Sequence, residues 1–171
     1  MRIVKIAALL VALLLACVAL AEGAAPAQVG AEAPDFELNT LDGGVFRLSE
    51  NRGKVVLLNI WATWCPPCAE EVPSIQQLAE AHPEDLVVIG ASVDRGEDVV
   101  KAFIAENGVT YPVGMDVDYN LAAGLYPTAY IPESVFISPE GIVTCIRIGG
   151  ATYEDFEELY TQALNGVLAE E

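Results

Sequence analysis

Residues 55–73 read VVLLNIWATWCPPCAEEVP, and the way this stretch changes periodicity decides the fold. Val55 to Ala62 is an unbroken apolar run of strand length, which is how a strand covered on both faces reads. From Pro66 onward the apolar positions fall at Cys68, Val72, Ile75 and Ala79, a spacing of three to four that marks one side of a helix. The strand therefore passes into the helix at Trp64-Cys65-Pro66. Proline suits the first helical turn, where it has no N–H to lose and its φ is preset. Cys65 then meets free backbone N–H groups and the positive end of the helix dipole, both of which favour a thiolate. Cys68 lies one turn further in, less accessible and placed to attack a mixed disulfide on Cys65.

The flanks extend the same alternation. "DFELNTLDGGVFRLSE" alternates on both sides of Asp42-Gly43-Gly44, a hairpin signal. "LVVIGASV" (Leu86 to Val93) reads as a second buried strand. "EDVVKAFIAENG" reads as a helix ending at Gly108 with Val99, Val100, Phe103 and Ile104 inward. "VTYPVGMD" suggests a short strand and "VDYNLAAGLY" a short helix. "SVFIS" and "IVTCIRI" flank Pro139-Glu140-Gly141 as a second hairpin. "TYEDFEELYTQALNGVL" is an amphipathic helix with Thr152 as N-cap and acids in its first turn. Strands alternating with helices imply a parallel core, and the last hairpin adds an antiparallel edge. The expected fold is an α/β sandwich in a single unit from residue 34 to the end. A chain of this size buries about two-thirds of its extended surface, so it needs no covalent staple.

The first 21 residues read as a leader. Arg2 and Lys5 precede an apolar stretch from Ile6 to Leu20, and Ala19-Leu20-Ala21 is a small-x-small cleavage site. Three outcomes fit: cleavage after Ala21, an uncut membrane anchor, or lipidation at Cys17. Each places the domain outside the cytoplasm. Residues 22–33, rich in alanine, read as a linker. The chain carries 8 Lys+Arg against 25 Asp+Glu, a net charge of −17, which repels phosphate backbones and excludes nucleic acid as a partner.

Apart from Cys17, the cysteines are Cys65, Cys68 and Cys145, an odd number that argues against a disulfide framework in an oxidising compartment. A zinc site would need His82 and Cys145 as its other ligands, the only candidates outside the leader. A structural disulfide across so short a loop would remove little unfolded-state entropy. A redox pair at Cys65 and Cys68 is the expectation, with no metal and no cofactor. Cys145 reads as a strand packing residue, His82 as a surface residue, Trp61 as core and Trp64 as the rim of the cysteine site.

"WATWCPPC", Pro73, and Ile131-Pro132 ahead of "SVFISPEG" resemble the thioredoxin superfamily. "VGAEAPDFELNTLDGGVFRLSENRGKVVLLNIWATWCPPCAEEVP" is similar to the extracytoplasmic TlpA/ResA-like thiol–disulfide oxidoreductases, over about residues 29 to 165. The resemblance implies a thioredoxin fold, a mixed sheet sandwiched by helices, with an N-terminal β-hairpin and a central insertion. It implies a cis peptide bond at Pro132 rather than Pro127, and a substrate strand paired with the main chain of Ile131. Trp64, Pro66 and Pro67 beside the cysteines complete the expected substrate contacts. The buried acid many thioredoxin-like proteins keep six residues before the first cysteine is Asn59 here. An acid stands instead at Glu71, giving C-x-x-C-x-x-E, and the spacing of three sets it on the helix face of Cys68. There it can accept a proton from Cys68 and raise the thiol pKa values. Glu70 is expected in solvent. Glu133 replaces the threonine common after the family's cis-proline and points weakly to the cytochrome-c-biogenesis branch.

The expected activity is therefore reduction of disulfides in exported proteins, apocytochrome c among them, by a monomeric domain that a membrane thiol transporter re-reduces. Two other readings stay open. One is a peroxiredoxin-like peroxidase, although such enzymes need threonine three residues before the reactive cysteine, where Ala62 stands and Thr63 is one off. The other is a non-catalytic module binding an extended peptide at Ile131-Pro132.

Overall fold

A computed structural model describes residues 24–169. The leader, Cys17 and the start of the linker lie outside the described residues. The elements are β1 (Glu37–Asn39), β2 (Val45–Arg47), a 3-10 turn (Leu48–Asn51), β3 (Val55–Trp61), α1 (Pro66–Ala81), β4 (Leu86–Ser92), α2 (Glu97–Glu106), β5 (Val113–Met115), a single wide helical turn (Leu121–Leu125), β6 (Glu133–Ile137), β7 (Val143–Ile148) and α3 (Tyr153–Leu164). The main sheet has the order β5-β4-β3-β6-β7. β3 and β4 are parallel from Val55↔Leu86 to Trp61↔Ser92, β4 and β5 are parallel, and β3–β6 and β6–β7 are antiparallel. The seven residues of β3 are all buried, as their apolar run demands of the middle strand.

Alternation along β3 distributes the helices. Phe136, opposite Leu57, packs on Phe156 of α3, Asn59 bonds Glu71 of α1, and Trp61 meets Phe103 of α2 at 5.1 Å. The three long helices thus share the face of the sheet to which the odd-numbered β3 residues point. Val56, Leu58 and Ile60 point the other way and are equally buried. On that side the N-terminal segment and the Leu121–Leu125 turn interlock: Phe36 stacks edge-on against Tyr126, whose hydroxyl donates to the Pro34 carbonyl. Between β4 and β6, α2, β5 and the wide turn form the expected insertion.

The hairpin forms at Asp42-Gly43-Gly44, with Gly43 at φ +91 and the Asp42 carboxylate accepting from the Gly44 N–H. It closes over β5: Leu41 N–H donates to the Val113 carbonyl, and a Cβ on Gly114 would sit 2.5 Å from the Asn39 oxygen. Only glycine permits so close an approach. At the opposite edge Gly30 donates to Val143 and Val143 to Ala31, while Ala33 donates to Gly141. The segment read as a linker is therefore docked along its second half, where it occupies hydrogen-bonding groups that β7 would otherwise expose.

Other differences are local. In α2, Val99 is 54% exposed while Val100 is fully buried. Val100, Phe103 and Ile104 already fill the inward stripe of this short helix. In α1, Leu78 joins the buried face and Ala79 stands at its margin. The helix expected over Val117–Tyr126 shrinks to one turn because the buried Asp116 carboxylate captures the Leu121 and Ala122 N–H groups and starts it late. His82, expected at the surface, stacks on Tyr160 with centroids 4.0 Å apart and bonds the Glu157 carboxylate at 2.9 Å. α3 begins at a full capping box between Thr152 and Asp155.

Candidate active site

Cys65 is the N-cap of α1 and is joined to Cys68 by a disulfide, with the Cα atoms 5.3 Å apart. Pro66 and Pro67 occupy the first positions of the helix and face solvent. The Cys68 N–H, one of the free donors of the first turn, points at Cys65 Sγ at 3.3 Å. Both sulfurs are nearly enclosed, Cys68 (1% exposed) more than Cys65 (5%). Trp64, immediately before them, is 66% exposed at the rim.

A second segment approaches from β6. The Ile131–Pro132 bond is cis, and the Ile131 carbonyl oxygen lies 3.6 Å from Cys65 Sγ. A third comes from the β7–α3 connection: Gly149 N–H donates to the Pro132 carbonyl at 2.8 Å, and a Cβ on Gly150 would touch the Pro67 carbonyl at 3.3 Å. Cys65, Ile131 and Pro132 are thus brought together, and Trp64, Pro66 and Pro67 surround them. His82 caps the far end of α1, about 24 Å along a helix of this length, and bonds Glu157. It therefore cannot share a metal with the pair.

Glu71 lies inside the protein, 2% exposed, on the buried side of α1 with Cys68. Asn59 donates from Nδ2 to Glu71 Oε1 at 2.8 Å and to Ser134 Oγ at 3.1 Å, so the residue that replaces the strand acid holds the helix acid in place. Among the described residues, Glu71 Oε2 has no hydrogen-bond partner. Burial pushes the carboxyl up to about 7; Asn59, the Ala151 backbone and the Arg147 charge pull it down and lose to desolvation. A cleft of about 620 Å³ runs alongside, lined by Pro67, Glu71, Ser74 and the residues from Gly150 to Asp155. Glu70 faces solvent.

Two further groups were not read from the sequence as site residues. Glu133, directly after Pro132, is 2% exposed and is likewise pushed up to about 7 by burial, with Thr128 opposing. Its signal was an acid opening an apolar strand immediately after the cis-proline. Asp94, two residues beyond the end of β4, accepts from the backbone N–H and hydroxyl of Thr63. The free thiol Cys145 is buried on β7 opposite Phe136, a packing residue with its pKa raised by burial.

A vicinal-type cysteine pair at a helix N-terminus, enclosed but rimmed by an exposed aromatic and backed by a carboxyl that titrates near neutrality, can cycle between dithiol and disulfide. The fold and this site define a thiol–disulfide oxidoreductase of the thioredoxin superfamily. Residues 29–146 match the AhpC/TSA family model, and the chain belongs to that family. It is similar to the thioredoxin-like protein YneN of Bacillus subtilis, 36% identical over 139 residues that cover 77% of this chain and 78% of the relative. It is 38% identical over 135 residues to the thiol-disulfide oxidoreductase ResA of Oceanobacillus iheyensis, covering 76% and 70% respectively. Among solved structures, a thioredoxin-family thiol:disulfide interchange protein from Chlorobium tepidum superposes with a TM-score of 0.72 at 30% identity, covering 84% of this chain and 99% of that one.

Proposed function

We propose that the protein reduces disulfides in exported proteins on the outer side of the cell membrane, acting as a monomer. The observation that carries this reading is Cys65 at the mouth of α1, beside the Ile131 carbonyl, with Cys68 and the neutral-range carboxyl of Glu71 enclosed behind it. The Cys65 thiolate attacks a substrate disulfide, releasing one substrate cysteine as thiolate and forming a mixed disulfide. Cys68, deprotonated by Glu71, attacks Cys65 Sγ, closes the internal disulfide and releases the second substrate thiolate. The site then holds two electrons fewer and must be re-reduced by thiol exchange, for which a membrane thiol transporter is the partner proposed. The leader supports the location. Pro132-Glu133 favours apocytochrome c among the substrates.

The family match favours one rival, a peroxidase. Against it, Ala62 carries no hydroxyl at the position such enzymes need, and the Thr63 hydroxyl is committed to Asp94.

Cys68→Ser in the full chain tests the proposal. It should accumulate mixed disulfides between Cys65 and exported proteins, resolved on non-reducing gels and lost when Cys65 is also replaced. Absence of adducts, with hydrogen peroxide consumed faster than by free cysteine, would transfer the assignment to the peroxidases.

A further inference from the structure

The connection from β3 to α1 is four residues long, Ala62 to Cys65, and it carries both the nucleophilic sulfur and the exposed Trp64. Sheet bonding stops just before it: the last ladder contact is Val93 N–H to the Trp61 carbonyl at 2.9 Å. The turn's own closing bond, Cys65 N–H to the Ala62 carbonyl, is long at 3.3 Å. What holds the middle of the connection is a side chain from the neighbouring strand end. Asp94, 4% exposed, accepts from the Thr63 N–H at 2.9 Å on Oδ2 and from the Thr63 hydroxyl at 2.8 Å on Oδ1. Ser92 Oγ donates to Oδ2 at 2.8 Å and also accepts from the Asp94 N–H at 3.1 Å, fixing the carboxylate in its rotamer. Thr63 thus gives both its donors to one enclosed carboxylate, in charge-assisted bonds about twice as strong as neutral ones.

We propose that Asp94, through Thr63, is a positioning residue for disulfide exchange, setting where Cys65 Sγ and the Trp64 ring sit relative to the Ile131 carbonyl. Without it the connection is held only at its ends, by its long closing turn and by the Ala69 N–H to the Cys65 carbonyl at 3.1 Å, and the sulfur can shift from the Cys68 N–H and the first-turn dipole that favour its thiolate. The inference rests on the disulfide-exchange reading above. It adds that the β4–α2 loop, remote in sequence from both cysteines, sets the reactivity of the pair.

The test uses Asp94→Ala, Asp94→Asn and Thr63→Val, which removes the hydroxyl and keeps the shape and the backbone N–H. The reduced proteins are alkylated with iodoacetamide across pH 5 to 10, and turnover is followed with a disulfide-bonded peptide. Asp94→Ala should move the midpoint of the Cys65 alkylation profile upward by at least about half a pH unit, the scale of a lost interaction with the thiolate. Its turnover should fall about tenfold or more, the scale on which displacement of a reacting group reads out. Thr63→Val should show the same changes in smaller degree, and Asp94→Asn, which still offers an acceptor to the Thr63 N–H, should lie between wild type and Asp94→Ala. A lowered melting temperature alone, with alkylation profile and turnover at wild-type values in Thr63→Val and in whichever Asp94 variant folds, would overturn the proposal. An inactive wild-type protein would instead refute the disulfide-exchange reading, while the shift of the Asp94 and Thr63 variants' alkylation profiles from the wild-type profile still reports on Asp94.

Discussion

Replacing Glu71 by glutamine should change how stability depends on pH, by an amount the structure sets. In the folded protein the carboxyl is pushed up to about 7 from its usual 4.5 because it is buried, and among the described residues only Oε1 has a hydrogen-bond partner. The folded state therefore binds this proton more tightly than the unfolded chain, so stability is fullest below 4.5 and is lost as pH rises towards 7. Between pH 5 and pH 8 that loss amounts to about 2.5 kcal/mol. Glutamine keeps the acceptor for Asn59 and cannot ionise. It leaves a buried amide N–H₂ where Oε2 stood, a cost of about 1–3 kcal/mol that does not vary with pH. The variant should be no more stable than wild type at pH 5 and should gain on it steadily up to pH 8. With a urea slope of about 2 kcal/mol per M, the gap between the two unfolding midpoints should move by about 1 M across this range. Both proteins are measured in the disulfide form, and Glu133 is present in both and cancels. A gap that stays constant from pH 5 to 8 would show that Glu71 does not titrate there, and its role as proton acceptor for Cys68 would fall with it.

Trp64→Ala should leave urea stability within about 0.5 kcal/mol, since the ring is 66% exposed. It should weaken binding of a disulfide-containing polypeptide by about 2 kcal/mol, or thirtyfold in KM, if the ring is a substrate anchor; an unchanged KM would remove it from the site. Gly114→Ala places a methyl 2.5 Å from the Asn39 oxygen and 2.6 Å from Leu38 Cγ, so the hairpin must lift from β5, at about 1–3 kcal/mol by urea unfolding. No loss of stability would mean the hairpin is not docked as described.

What could be read from the sequence were the features carried by period and punctuation. The unbroken β3 run, the shift to helical spacing at Pro66, the turn at Asp42-Gly43-Gly44 and the Thr152 cap are local signals, and each element stands where those residues put it. The cysteine pair and the choice of Pro132 were legible for the same reason, as compact motifs with particular neighbours. Long-range side-chain bonds were not. Nothing in the local pattern shows that Asn59 reaches Glu71 or that Asp94 reaches Thr63, because those pairs meet only once β3, β4 and α1 are packed. His82 was misplaced for want of its partners on α3, Glu157 and Tyr160. Asp116 shortened the expected helix by capturing two N–H groups five and six residues ahead, and the alanine-rich linker concealed its docking because small residues carry no pattern.

The claim that the pair gives electrons away is tested most directly by its midpoint potential. Glu71 lies on the buried side of α1 with Cys68, Glu133 directly follows the cis Ile131–Pro132 bond beside Cys65, and the chain as a whole is strongly acidic. Negative charge disfavours the thiolates, leaves the dithiol less stabilised and draws the couple towards the disulfide, which makes it a better reductant. Equilibration of the Cys65–Cys68 pair with glutathione buffers at pH 7 should place the midpoint at about −250 mV, near thioredoxin. A midpoint above about −180 mV would place the pair with the isomerases and oxidases and contradict the reductase assignment.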